Sequence, residues 1–340
     1  MIRFGPAGIP LSCKGRTLRD GLEDVHNLGL TAMEVQLVRV GLLERYATEE
    51  EVGLVPREVL NELIVEVVRK RGSKETVITK LDAEIRKGDL LRILASGIAR
   101  DYKELAELGR LSKDLDIELS LHTPYYMDLI GLEEMTERCM DSVRWAGLLA
   151  NEMGARVVVT HLGLYGDLTK RQAAIRTRKN LESILKWYRS RKIKPKLGLE
   201  ASGRQEVFGS VKEILSLSDK LKGVVPILNF SHIHSREGGT LRTKKDFQKL
   251  FNKVERFVSG HFHTHFSGVE HEGGNELRYT PIKKGDLRFE PLAECVLDNN
   301  YDITLISGSP LLEHDAMYMK VILERVLARR VSKSAKEAKK

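Results

Sequence analysis

The chain reads as an α/β protein of the (β/α)₈ type, a TIM barrel, and three observations predict it. Short runs rich in β-branched residues alternate with longer amphipathic stretches. Eight such runs occur, which suits a closed parallel barrel better than the six or seven strands of an open sheet. The loop after the first run, Gly5-Pro6-Ala7-Gly8-Ile9-Pro10, lacks the GxGxxG spacing of a dinucleotide-binding sheet.

The first strand is expected at 2–4. A helix follows over 17–28, with Leu18, Leu22, Val25 and Leu28 on one face and Gly29 as its stop. Further strands are expected at 32–37, 117–121, 155–160, 196–199, 224–228, within 257–266, and at 303–306. Helical spacing fills 135–153, 170–191, 210–221, 244–254 and 292–299. Residues 38–116 are too many for one strand–helix connection. Within them 48–71 and 78–111 read as helical, broken at Gly72-Ser73-Lys74. The expectation is a helical subdomain inserted after the second strand, at about 45–100, serving packing or dimerisation. Residues 1–328 are then one barrel domain, and 329–340 a basic C-terminal tail without fixed structure.

Apolar residues make up 41% of the 340, enough for a sizeable core. Lys plus Arg exceeds Asp plus Glu by eight, which favours a polyanionic partner such as nucleic acid, although the tail carries part of the excess. Cys13, Cys139 and Cys295 lie far apart and form no CxxC pair. A reducing, cytoplasmic location is expected. The N-terminus has no basic head followed by an apolar core, and no apolar run approaches the roughly 20 residues that span a bilayer.

Eight of the ten histidines fall between residues 122 and 271. His122 directly follows the third expected strand, His161 the fourth and Glu200 the fifth. Asn229 and His232 follow the sixth, and His265 ends the seventh. The C-terminal ends of barrel strands converge on one rim, so these residues become neighbours in space. Two imidazoles and a carboxylate are a normal zinc set with one position open to water. His261, His263 and His265 alternate and share a strand face, which puts the first two at deeper layers of the barrel as hydrogen-bonded interior histidines.

The stretches His122-Thr-Pro-Tyr-Tyr, Val-Thr-His161-Leu-Gly, Gly-Leu-Glu200-Ala-Ser-Gly, Asn229-Phe-Ser-His232-Ile-His-Ser-Arg236 and His265-Phe-Ser-Gly268 occur in order along most of the chain. Together they resemble the endonuclease IV family, the zinc-dependent apurinic/apyrimidinic endonucleases with a xylose-isomerase-like barrel, and its archaeal branch most closely. The resemblance implies a three-metal phosphodiesterase that cuts DNA 5′ to an abasic site and leaves a 3′-hydroxyl. By position His122 and His161 would hold one zinc, and Glu200 would bridge it to a second. His265 would serve the second ion and His232 the third. Glu200 is the expected catalytic residue and zinc the expected ion, with manganese as the alternative. Tyr125, Tyr126, Arg204 and Arg236 would contact DNA.

The chain departs from the family at three places. Asn229 replaces an aspartate, Gly308 an eighth-strand glutamate, and Tyr279 falls near a histidine position. One carboxylate cannot balance three dications, so the expectation is one tightly held metal, or two at most. Asn229, Tyr279 and Glu276 are the weaker ligand candidates, with Glu270 and His271 as substitutes. Two rivals remain open. One is a sugar isomerase or epimerase of the same superfamily, which would need the carboxylates missing at Asn229 and Gly308. The other is a nucleic-acid-binding barrel that keeps one zinc and has lost incision.

Overall fold

A computed structural model describes residues 1–38 and 40–337. The elements begin with β1 (Ile2–Pro6), α1 (Leu18–Asn27) and β2 (Ala32–Gln36). Then come β3 (Gly41–Tyr46), β4 (Ile64–Arg71), β5 (Lys74–Ile78), β6 (Leu90–Ala95) and α2 (Tyr102–Asp114). Strictly alternating units follow: β7 (Glu118–His122), α3 (Glu134–Met153), β8 (Val157–Thr160), α4 (Lys170–Ser190), β9 (Lys196–Glu200), α5 (Val211–Lys220) and β10 (Val224–Asn229). The chain closes with α6 (Phe230–Arg236), α7 (Lys244–Val254), β11 (His261–Phe266), the hairpin β12 (Gly268–Glu272) and β13 (Asn275–Thr280), α8 (Glu290–Asn299), β14 (Asp302–Ser307) and α9 (Glu313–Glu337).

Eight parallel strands run in the order β1-β14-β11-β10-β9-β8-β7-β2 and form a nearly closed barrel surrounded by helices. The eight expected strands and six expected helices thus appear in their places. The seam between β1 and β2 is closed by a single parallel bridge, Ala7 to Glu34, with the Thr31 amide on the Phe4 carbonyl (3.0 Å) at its other end. There Gly5 is indispensable, because a Cβ on it would lie 1.8 Å from the Ala32 carbonyl oxygen. Helix starts follow local chemistry. Thr17 with Asp20, Thr169 with Gln172 and Ser210 with Glu213 form reciprocal caps on α1, α4 and α5. Gly154 ends α3 in the left-handed region, at φ 70°.

The inserted region is β, not helical. Strands β3-β6-β4-β5 form an antiparallel sheet with its own small core of Val59, Ile64, Val67, Ile85, Leu91 and Ile93. The periodicity is that of strands: Ile64, Val65, Val67 and Val68 are β-branched, and charged residues between them pair across the sheet. Arg92 reaches Glu66 at 2.9 Å and Glu44 at 2.8 Å, and Arg69 reaches Asp89 at 2.6 Å. Gly72 and Ser73 are a two-residue hairpin loop between β4 and β5, with Gly72 at φ 62°, rather than a helix break. The sheet is fastened to the barrel by the Tyr102 hydroxyl on the Ile64 carbonyl (2.9 Å) and by the Asn61 amide on Asp101 (3.0 Å). Only α2 preserves the helix expected within 78–111, and it starts later.

The C-terminal expectation also changes. Residues 329–337 continue α9, a run of good helix formers, and 338–340 lie outside the described residues. Arg330 holds this end against α8 through the Glu294 carbonyl and Asp298, each at 2.7 Å. At its other end the buried Glu313 accepts the amides of Leu11 and Ser12 at 2.9 and 3.0 Å. Cys13, Cys139 and Cys295 are buried free thiols. Among the described residues no helix is long and apolar enough to cross a membrane.

Gly5→Ala forces apart the two strands that a single bridge joins. Urea unfolding should show a loss of about 2–3 kcal/mol relative to wild type, and an unchanged midpoint would show that the seam tolerates a side chain.

Candidate metal centre

The strand ends bring the expected residues to one rim. His122 ends β7, Glu200 ends β9, and His161 follows β8. The Nε2 atoms of His122 and His161 lie 3.0 and 3.1 Å from the same oxygen, Glu200 Oε2. The two rings are 5.1 Å apart. His122 Nδ1 sits 2.6 Å from the Thr123 carbonyl oxygen, which can only accept, so that nitrogen carries a hydrogen. In the neutral ring the Nε2 lone pair then faces a carboxylate oxygen. Two lone pairs aimed at each other need a proton or a cation between them. A second hydrogen bond that fixes the other ring nitrogen in this way is the usual support of a metal-bound histidine.

Burial would lower His122, but Glu200 raises it above its usual value, so in the metal-free site that ring holds the shared proton. Burial and the neighbouring imidazoles lower His161 to about 4, despite the nearby Glu200, so its ring is neutral near pH 7 and its lone pair is free. Burial disfavours the Glu200 anion, but His161 and His265 hold it well below the usual carboxylate range. The residues fit a divalent ion. His122, His161 and Glu200 could hold one, since their ligand atoms all lie within 4.8 Å of one another.

A second set within the same limit is Glu34, His263 and His265. Glu34, on β2, was not among the expected site residues. It is buried, and both its oxygens are used: His265 Nε2 approaches at 2.9 and 3.0 Å, His263 Nε2 at 3.3 Å, Gln36 at 3.1 Å and Ser120 at 3.2 Å. The signal was present in the alternation of β2. Met33 and Val35 face the helical layer, so Glu34 and Gln36 face the barrel interior. His263 lies at the deeper layer expected for it, and His261 deeper still, beside Glu118 and Asp302 at 3.4 and 3.2 Å.

His265 is placed between two carboxylates. Its Nε2 is on Glu34, and its Nδ1 lies 2.8 Å from Glu200 Oε1. Burial alone would lower its pKa, but Glu34 and Glu200 raise it to about 10. With that raised pKa the metal-free ring is protonated near pH 7, and its two nitrogens face the two carboxylates.

Asn229, the substituted aspartate, is not arranged as a ligand. Its oxygen caps α6 by accepting the His232 amide at 3.2 Å. Its nitrogen donates to Glu200 Oε1 at 2.8 Å and to the Tyr279 hydroxyl at 2.7 Å, which shows hydrogens to the site instead of lone pairs. His232 does not join His122 and His161 on Glu200. Its Nδ1 meets Glu276 Oε2 at 2.5 Å and its Nε2 the Tyr279 hydroxyl at 2.9 Å. Glu276 and Tyr279 arrive on β13, turned back by Gly273 and Gly274 at φ 57° and 77°. Gly308 follows β14, and a Cβ there would come within 3.3 Å of the Tyr279 ring. Glu270 is paired with Arg278, and His271 with Asp286, both away from this cluster.

The centre opens through a cavity of about 260 Å³ into a cleft of about 930 Å³ that shares His161, His232 and Tyr279 with it. Tyr125 and Tyr126 stand at its edge, 76% and 60% exposed, with rings edge to face at 5.2 Å. Arg176 and Arg204 line the cleft. Arg236 does not reach it as a free cation. Its guanidinium is tied to the carbonyls of Arg204 and Val207 and so shapes the loop after β9.

The sequence model of a xylose isomerase-like TIM barrel matches residues 90–313. The chain belongs to that family. An uncharacterized protein of Methanocaldococcus jannaschii is 29% identical over 225 residues, 64% of this chain and 80% of that protein. Solved structures share the fold at low identity. A D-tagatose 3-epimerase-like protein superposes with a TM-score of 0.62 at 16% identity, over 94% of this chain and 96% of its own. Endonuclease IV of Thermus thermophilus gives 0.58 at 17%, over 95% and 99%. One of these neighbours is epimerase-like and the other an endonuclease, and at such identity the likeness extends to the fold alone.

Elemental analysis of the purified protein should find about one divalent ion per chain, lost in His122→Ala and in Glu200→Gln and retained in Asn229→Ala. Equal metal content in all four proteins would rule this trio out as the ligands. In the metal-free chain, the raised His265 stabilises the fold fully below pH 6.5 and progressively less as pH rises toward 10. The slope should approach about −1.4 kcal/mol per pH unit. Urea denaturation with chelator should show this decline in wild type and a flatter profile in Glu34→Gln.

Proposed function

We propose that the protein is a zinc-dependent phosphodiesterase of the endonuclease IV type, which incises DNA on the 5′ side of apurinic/apyrimidinic sites. The observation that carries this reading is the convergence of His122 and His161 on one oxygen of Glu200. An isomerase of this family has no evident use for that pair, and it would need acid–base carboxylates where this rim has the amide of Asn229 and Gly308.

The local charges favour one ion. Glu34 and Glu200 contribute two negative charges, and the His265 imidazolium offsets one of them. A single dication then leaves the centre with one positive charge, matched to one diester phosphate. When bound, zinc at His122, His161 and Glu200 would acidify a coordinated water and polarise a phosphoryl oxygen. Glu200 would be the catalytic carboxylate, held in orientation by Asn229 and His265. Manganese fits this nitrogen-rich set less well than zinc. Tyr125 and Tyr126 offer exposed rings for base or sugar stacking beside the cleft, and Arg204 and Arg176 offer phosphate contacts. Arg236 supports this surface by ordering its loop.

A labelled duplex with one tetrahydrofuran abasic analogue provides the test. The expected result is one cut immediately 5′ to the analogue, abolished by chelator, restored by zinc, and absent in Glu200→Gln. Binding without incision by the zinc-loaded protein would leave a nucleic-acid-binding barrel instead. Interconversion of ketoses by the same preparation would favour the isomerase reading.

A further inference from the structure

Five side chains form a continuous hydrogen-bonded chain, and the phenol at its middle lines the cleft. Glu276 Oε2 is 2.5 Å from His232 Nδ1, and His232 Nε2 is 2.9 Å from the Tyr279 hydroxyl. That hydroxyl accepts from Asn229 at 2.7 Å, and Asn229 is anchored in turn on Glu200 at 2.8 Å. A reactive hydroxyl on a histidine that a carboxylate orients is the arrangement of a proton-transfer relay. Tyr279 also lines both the small cavity over Glu200 and the larger cleft.

Gly308 packs against this ring: a Cβ at 308 would come within 3.3 Å of Tyr279 Cε2, so the ring would have to give slightly. Gly308 thus leaves room beside the centre for the phenol that β13 carries.

We propose that Tyr279 is a catalytic residue of this centre, the general acid that protonates the leaving oxygen, with His232 and Glu276 as positioning residues. This rests on the phosphodiesterase reading above. In the step, the oxygen of water bonds to phosphorus and the bond from phosphorus to the leaving oxygen breaks, its electron pair staying on that oxygen. The leaving oxygen takes the proton of the Tyr279 hydroxyl. The phenolate recovers a proton from solvent through His232, and the attacking water releases one to solvent, so the protons balance. Burial, with Glu276 and Glu200 nearby, holds the phenol well above its usual range, which keeps it protonated and able to donate. The Asn229 amide, which donates to that oxygen, then stabilises the transient phenolate.

A general acid matters in proportion to how poor the leaving group is. Tyr279→Phe should therefore be compared with wild type on abasic DNA and on thymidine 5′-phosphate esters of phenols graded from p-nitrophenol to phenol. The variant should keep wild-type zinc content and lose no more than about threefold in kcat on the p-nitrophenyl ester. It should lose about 10²-fold or more on the phenyl ester and on DNA. A loss equal across the series, no loss at all, or loss of zinc would each overturn the proposal. Wild type that cleaves the aryl esters but spares abasic DNA removes the DNA reading alone, and the ester series still judges Tyr279. Wild type that cleaves no ester and no DNA overturns both.

Discussion

Two carboxylates, Glu34 and Glu200, share the barrel interior with one imidazole between them, and the arrangement of the rim depends on that contact. Like charges at such depth repel strongly, and neither can be left without a partner. His265 meets both, on Glu34 through Nε2 and on Glu200 through Nδ1. With Glu200 Oε1 engaged by His265 and Asn229, its second oxygen is turned toward His122 and His161. The placement of that second oxygen between two imidazoles thus follows from how buried charge is neutralised a layer below.

The barrel was legible in the sequence because apolar β-branched runs recur between helical stretches and most of them lead into a polar residue, as in Val157-Val158-Val159-Thr160-His161. The same rule exposed His122 and Glu200. Glu34 escaped it because it lies within β2 and not at its end, and only the inward half of a two-residue alternation marks it. The inserted sheet was misread for a related reason. The helical reading of 48–71 fails where Glu66 and Arg69 sit among β-branched residues and lead into a Gly72-Ser73 turn. The tail beyond residue 328 was assigned no structure because composition cannot show that Arg330 finds partners on α8.

Residue types also said less than their hydrogen bonds. Asn229 and His232 both carry ligand-type atoms at the right strand end, yet helix α6 claims the Asn229 oxygen, and Glu276 with Tyr279 claims His232. The hairpin β12–β13 delivers those two partners, and its two consecutive left-handed glycines set which of its side chains face the barrel. Fold similarity leaves this open, because epimerase-like and endonuclease barrels superpose on the chain about equally well. Side chains at the strand ends, and the few backbone turns that aim them, separate one chemistry from another on a shared scaffold.

The seam between β1 and β2 connects these layers. Glu34 contributes its backbone to the single bridge that closes the cylinder and its side chain to the imidazolium that neutralises the centre. The wall is thus thinnest in main-chain hydrogen bonds where its internal charge is densest. Any loosening of that latch, by heat or by alkali, slackens the hoop of strands and uncovers the ion pair in one motion. In this barrel mechanical closure and electrical neutrality are two readings of the same residue.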